Sequence, residues 1–320
     1  MHFIGVNGDM NEAPKLPILT FPALAGMSYP RLEADNLVRV VPEPKSILEL
    51  PEDERAPVRV LMTSATRGCS AVIAESLPNL RLVVSQGVGQ DRIDIPALSS
   101  RGVRVRSIGE ALTEDVADLA MSLVQMITRD LVRADAFARG GDWARGRFAV
   151  GDSLFGMTMG IAGLSGRIGQ ALAKRALASG MKLAGIRRPS NQEYGVPLFE
   201  SWRELAQISD VLVLAVPGTP ELTHMIGAAE LAALGPKGRL VNVGRGELID
   251  TQALIEALEQ GAIAGAALDV VEGEPQVPPR LAALPNVILT PHIGAQTWGA
   301  RARGAKIAED EVLAFLHSGS

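Results

Sequence analysis

Three short segments in the second half of the chain carry residue types suited to moving a hydride and a proton. Residues 240–250 read LVNVGRGELID, 263–275 read IAGAALDVVEGEP, and 288–295 read ILTPHIGA. Each contains an apolar run that reads as a strand. At or just beyond the ends of the runs stand Arg245, then Asp269 and Glu274, then His292. In a doubly wound parallel sheet the carboxyl ends of the strands share one rim, and ligands bind in the crevice there. An arginine, an acid and a histidine on that rim suit hydride transfer to a 2-oxo acid. The guanidinium forks onto the carboxylate, and the histidine protonates the developing alkoxide. The acid orients the histidine and stabilises its imidazolium. Histidine is scarce in this chain. The others are His2, His224 and His317, and two of these lie beside a terminus.

A hydride needs a carrier, and a glycine-rich turn supplies a place for one. Residues 159–169 read MGIAGLSGRIG and lead into QALAKRALASG. A short apolar strand, closely spaced glycines and a helix form the setting of a dinucleotide-binding turn. Glycines let the backbone approach a pyrophosphate, and the helix N-terminus favours its charge. Gly163, Gly166 and Gly169 are spaced G-x-x-G-x-x-G, one residue longer than the usual G-x-G-x-x-G. About twenty residues on, an NAD site wants an acid for the ribose hydroxyls, whereas an NADP site wants cations for the 2′-phosphate. The strand over 181–186 ends instead in Arg187 and Arg188. Two guanidiniums there suit a phosphate.

Strands and helices must alternate to position these groups, and the sequence supports that. Apolar runs over 17–21, 58–63, 81–85, 103–106, 159–162, 182–186, 211–216, 240–243, 266–271 and 287–290 read as strands. Several are apolar without alternation, which suits strands buried on both faces. Helical periodicity fills the intervals, for example over 169–179, 229–234 and 252–259. The fold class is therefore α/β, with parallel sheets covered by helices. The longest helical pattern runs over 112–139, with Thr113 as N-cap and Glu114 and Asp115 in the first turn, where a helix N-terminus favours acids. It ends at Gly140–Gly141. The expected division is 1–108 with 296–320 as one domain and 109–295 as the other, because a helix over 299–315 returns to the first domain.

Composition narrows the classes. The chain has 320 residues, which at roughly 150 per domain suggests two. Apolar residues are 47% and charged residues 21%, enough for packed cores and unlike a disordered chain. One cysteine, Cys69, allows no internal disulfide and no multi-cysteine zinc site, so no metal is expected, and the thiol reads as an ordinary one. A net charge of −5 argues against nucleic acid. Arg101, Arg104 and Arg106 alternate with apolar residues and read as the solvent face of a strand. No apolar run approaches the length of a membrane span and no signal peptide is visible. A cytoplasmic protein without membrane partners is expected. His224 reads as a packing or surface residue, Trp143 as a packing anchor, and Trp298 as core or as the border of a substrate pocket.

Taken together, the chain resembles the D-isomer-specific 2-hydroxyacid dehydrogenases. It is most similar to their NADP-preferring glyoxylate/hydroxypyruvate and hydroxyphenylpyruvate reductases. The resemblance runs from about residue 82 to 315. It is carried by SQGVGQDRID at 85–94, LTEDVADLA at 112–120, the glycine turn, VPGTPELTHMIG at 216–227 and the three segments above.

The family implies two Rossmann- or flavodoxin-like doubly wound domains, substrate-binding and dinucleotide-binding, with the active site in the cleft between them. It implies that Arg245 binds the substrate carboxylate, that Glu274 pairs with His292, and that His292 is the general acid in reduction. Val88 and Gly89 would receive the carboxylate through their backbone. Gly163, Ser165, Gly166, Arg167 and Ile168 would lie on the pyrophosphate, with Arg187 and Arg188 at the 2′-phosphate. Val243, Gly244 and Asp269 would sit beside the nicotinamide and its ribose. NADPH is the expected cofactor, with NAD possible, a small 2-oxo or 2-hydroxy acid the substrate, and a homodimer built on the long helix the assembly. The alternative within the same resemblance is a dinucleotide-sensing, corepressor-like protein with little turnover. A short-chain dehydrogenase is excluded, because neither Tyr29 nor Tyr194 is followed four residues later by lysine.

Overall fold

The computed structural model describes residues 17–22, 26–35, 37–87, 89–188 and 195–318. The chain divides into two compact units, Met1–Ala111 with Arg301–Ser320, and Leu112–Ala300. The smaller unit is thus assembled from both ends of the chain. Its five strands are β1 (Ile18–Thr20), β2 (Val38–Val40), β3 (Val60–Thr63), β4 (Leu82–Ser85) and β5 (Arg104–Ser107). They form one parallel sheet in the order β2-β1-β3-β4-β5, the flavodoxin order. The larger unit holds β6 (Thr158–Ala162), β7 (Lys182–Ile186), β8 (Leu198–Phe199), β9 (Val211–Leu214), β10 (Arg239–Asn242), β11 (Gly265–Leu268) and β12 (Val287–Leu289). These make a parallel sheet ordered β12-β11-β10-β9-β6-β7-β8.

The apolar runs form these strands because both faces of each sheet are covered. β3, β4, β9 and β11 are buried at every residue. On one face of the larger sheet Met159, Ile161, Val213 and Val241 pack against the helices Thr113–Arg129 and Arg167–Ala178. On the other face Leu212, Leu214, Leu240 and Leu268 meet Leu205, Leu231 and Leu254 of three shorter helices. In the smaller unit Ala305, Ala308, Val312 and Phe315, from the helix Trp298–His317, close one face over Ile18, Val60 and Val84.

Several sequence expectations need correction. The helical pattern over 112–139 is two helices, Thr113–Arg129 and Leu131–Arg139. Asp130 breaks it with φ 52° and ψ 42°, a left-handed geometry that an aspartate tolerates better than most side chains. No glycine or proline marks that break. Thr113 is the first helical residue, and Leu112 holds the cap position. The two strands missed, β2 and β8, are short edge strands of three and two residues. The arginine stripe is a solvent face only in part: on β5 Arg104 is exposed and Arg106 half-buried, while Arg101 caps the preceding helix outside the strand. Arg104 and Arg106 pair with Glu311, Arg106 also with Glu110, and Arg101 donates to Leu77 O at 2.8 Å. Trp143 is 73% exposed, so it anchors no core, and Trp298, at 76%, belongs to none either.

Candidate active site

Order reverses in the larger sheet between β6 and β9. The connections leaving these strands diverge and open a crevice at their carboxyl ends. The glycine turn lies there. Gly163 has φ +98°, and a Cβ on it would come within 2.5 Å of Ala215 O. Gly166 donates its N–H to Gly163 O at 2.9 Å and caps the helix Arg167–Ala178. The extra residue of the motif is therefore absorbed in a turn over 163–166. Gly169 holds helix against turn, since a Cβ there would lie 2.1 Å from Gly163 O. A Cβ on Gly166 would meet only Gly163 O, at 3.2 Å. The turn thus leaves a bare concave backbone before a helix N-terminus, and the start of the helix bears Arg167 and Ile168. This cradle fits a dinucleotide pyrophosphate.

At the end of β7, Arg187 and Arg188 are both exposed. Arg187 is drawn toward β8. Its backbone N–H donates to Phe199 O at 2.7 Å, and its Nε donates to the Glu200 carboxylate. Arg188 lines a hollow with Gly163, Ser165, Trp202 and Pro217. Among the described residues no acid lines this hollow.

The proton-handling groups stand on the loops after β10, β11 and β12. Beyond β12, His292 has φ 53°, a left-handed conformation that costs a branched-free residue about 1–2 kcal/mol. Such strain clusters at functional sites and needs surrounding structure to hold it. The His292 N–H donates to Asp269 O and Thr290 O, each at 2.9 Å. The side chain of Asp269, 3% exposed, staples the loop on either side of the histidine. Its Oδ1 accepts from Thr290 Oγ1 at 2.6 Å and from Ile293 N–H at 2.8 Å, and Oδ2 accepts from Gly294 N–H at 2.9 Å. Held this way, His292 Nδ1 lies 2.7 Å from Glu274 Oε1. Both side chains remain partly open to solvent.

Arg245 follows β10, and its position depends on residues that the sequence reading passed over. Asn242 is completely buried. Its Oδ1 accepts from Gly244 N–H at 3.0 Å, and its Nδ2 donates to Arg245 O at 2.8 Å. A buried polar residue closing an apolar strand was the available signal. Gly218 makes room for the arginine stem, because a Cβ there would lie 2.8 Å from Arg245 Cγ. Val243 is buried and hydrogen-bonded to Leu214 O at 3.1 Å. Gly244 allows the chain to pass Val216 O, which a Cβ would approach to 2.6 Å.

His224 is a surface residue, and it is paired. Its Nε2 lies 2.8 Å from Glu272 Oε1, whose other oxygen accepts from Thr251 Oγ1 at 2.8 Å. The hydrogen bond to Glu272 raises the pKa of His224 above its ordinary value. Cys69 is buried in the smaller unit, and that burial pushes its thiol up to about 12, which makes it unreactive. Gly89 is buried there too, and Val88 lies outside the described residues. Among the described residues no group of three or more metal-ligating side chains could hold an ion, and no helix is long and apolar enough to cross a membrane.

A doubly wound parallel unit with a glycine cradle at its switch point, and a carboxylate-held histidine on the same rim, is the design of a nicotinamide-dependent oxidoreductase. Residues 121–294 match the family model described as D-isomer specific 2-hydroxyacid dehydrogenase, NAD binding domain. The chain is 41% identical to glyoxylate/hydroxypyruvate reductase A of Arabidopsis thaliana over 262 residues, 82% of this chain and 83% of that one. It is 40% identical to the hydroxyphenylpyruvate reductase of Plectranthus scutellarioides, with 82% of each covered. Among solved structures, the NADPH-dependent glyoxylate/hydroxypyruvate reductase of Sinorhizobium meliloti, in complex with NADP and malonate, matches with a TM-score of 0.85. That match is at 34% identity and covers 95% of each chain. The chain belongs to the D-isomer-specific 2-hydroxyacid dehydrogenase family. It is an NAD(P)-binding oxidoreductase of 2-oxo and 2-hydroxy acids.

Proposed function

We propose that this protein reduces glyoxylate, hydroxypyruvate or an aryl pyruvate to the D-2-hydroxy acid with NADPH, and that His292 is the proton donor. The observation that carries the reading is the 2.7 Å contact of Glu274 with His292 Nδ1. With Nδ1 engaged by a carboxylate, Nε2 is the ring nitrogen left to give up a proton, and Glu274 fixes the orientation of the ring. Arg245 takes the substrate carboxylate and polarises the adjacent carbonyl. The bound reduced nicotinamide supplies the hydride. As the carbonyl carbon receives it, the oxygen takes the proton from His292, and in oxidation the same nitrogen takes it back. Asp269 and Asn242 position the histidine and arginine loops.

Arg188 at the end of β7, where an NAD site would carry an acid, supports NADPH over NADH. The relatives that support these acceptors are named as reductases of glyoxylate, hydroxypyruvate and hydroxyphenylpyruvate. A homodimer built on the paired helices Thr113–Arg129 and Leu131–Arg139 is part of the proposal. Exposed Leu131, Val132, Trp143, Val150 and Phe155 in this part of the chain support it.

The test is turnover. Purified protein is mixed with NADPH and each of the three acids, and loss of the reduced-nicotinamide absorbance is followed. At least one acid is expected to be reduced, and His292→Ala is expected to abolish turnover while NADPH affinity stays nearly intact. No oxidation with any acceptor, despite measured NADPH binding, overturns the enzymatic reading. Equal loss of turnover and affinity in the variant makes His292 structural.

A further inference from the structure

We propose that Arg203, early in the helix Trp202–Ile208, is the second ligand of the 2′-phosphate beside Arg188, and that Arg187 is not a ligand. The inference rests on the NADPH reading above and deepens it at the same site. Two hollows adjoin at the end of β7. One, of about 250 Å³, reaches from Gly163 and Ser165 of the glycine turn to Arg188 and Trp202. The other, of about 410 Å³, continues from Arg188 and Trp202 to Arg203. Ile186, Arg188 and Trp202 line both. The two are therefore one groove, running from the cradle proposed for the pyrophosphate to the Arg203 side chain.

The charges along the outer hollow decide which arginines are available. It is faced by Arg187, Arg188 and Arg203, and by Glu200 and Glu230. Glu200 is engaged by Arg187, whose Nη2 also donates to Leu198 O at 3.4 Å. Glu230 turns one carboxylate oxygen to Gly227 N–H at 3.1 Å, as the cap of its own helix. Glu200 is thus paired, Glu230 has one oxygen turned to its own helix, and Arg187 is held against β8. The side chains of Arg188 and Arg203 form no ion pair and no hydrogen bond among the described residues. Two guanidiniums facing one hollow repel each other, and a phosphate dianion between them relieves that repulsion. Each presents a fork matched to phosphate oxygens. In NADPH the phosphate sits on the adenosine ribose, the part of the cofactor that lies farthest from the nicotinamide. The far end of this groove is the place for it.

The test is equilibrium binding of NADPH and NADH by calorimetry, which needs no turnover. The parent protein is expected to bind NADPH at least about tenfold more tightly than NADH. Arg203→Ala is expected to weaken NADPH about tenfold or more, the scale of one lost charge-assisted hydrogen bond, and to leave NADH within about twofold. Arg203→Lys should recover part of the loss. Arg187→Ala should keep the preference within about twofold. Arg203 is exposed, so these variants keep the fold. An unchanged preference in Arg203→Ala, with the parent still preferring NADPH, overturns this inference alone. Equal weakening of both cofactors in that variant, or loss of preference in Arg187→Ala, also overturns it. A parent without NADPH preference overturns the cofactor reading, and this inference with it.

Discussion

Replacing Asp269 by alanine probes how the catalytic histidine is held. The change removes the acceptor for two backbone N–H groups, of Ile293 and Gly294, and for the Thr290 hydroxyl. A hydrogen bond to a charged group is worth about 1.5–3 kcal/mol, and a buried donor left unmade costs about 1–3 kcal/mol. Gly294 is buried, but Thr290 and Ile293 are only half-buried, so water replaces part of what they lose. The net destabilisation expected is about 3–5 kcal/mol, in the range for breaking a buried charged network. The left-handed conformation of His292 then loses its supports on both sides. A displacement of about 1 Å at a reacting group is enough for a hundredfold loss of rate. Asp269→Asn keeps Oδ1 for Thr290 and Ile293 but turns an amide N–H₂ toward Gly294 N–H, so about 1–3 kcal/mol is expected from that one clash of donors. Urea unfolding gives the stability, and kcat at saturating NADPH and 2-oxo acid gives the rate. If Asp269→Ala unfolds within about 0.5 kcal/mol of the parent, or folds and keeps its kcat, the stapling argument is wrong.

Two other perturbations separate structure from ligand binding and fix a pH dependence. Gly169→Ala places a Cβ 2.1 Å from a backbone oxygen and is expected to lower the unfolding midpoint. Gly166→Ala, with only a 3.2 Å contact and φ −73°, is expected to keep the midpoint and weaken dinucleotide binding. A reversed pattern in thermal unfolding and calorimetry refutes the cradle. His224 has its pKa raised, so its contribution is complete below its ordinary 6.5 and is lost as pH rises through the raised folded value. Burial works to raise Glu272, but the His224 and Thr251 hydrogen bonds outweigh it and leave its pKa lowered. Its contribution is therefore complete above 4.5 and is lost as pH falls through the lowered folded value. The stability difference between the parent and His224→Gln should be largest between those two values and shrink above pH 6.5. Because the pair is largely exposed, the difference should stay below about 1 kcal/mol. A difference that grows from pH 6.5 to 9 contradicts the assignment.

Much of the fold was legible because buried parallel strands leave an unmistakable trace. Both faces of such a strand are covered, so β9 reads VLVL and β3 reads VLMT, without polar alternation. The edge strands β2 and β8 escaped notice because two or three residues carry too little burial to shape a pattern. The break at Asp130 escaped because a left-handed aspartate has no sequence mark, unlike glycine or proline.

The sequence by itself determined the chemical inventory of this protein. Arg245, Glu274 and His292 had to follow strands for their loops to share a rim, and glycines had to open the turn before the helix at Arg167. Only the tertiary structure decided how that inventory is held. Asp269 grips the histidine loop, Asn242 the arginine loop, and Glu200 takes Arg187 away toward β8. Those contacts join residues brought together by the sheet rather than by their neighbours in the chain. No local pattern could encode them, because a hydrogen bond depends on where two strands end in space.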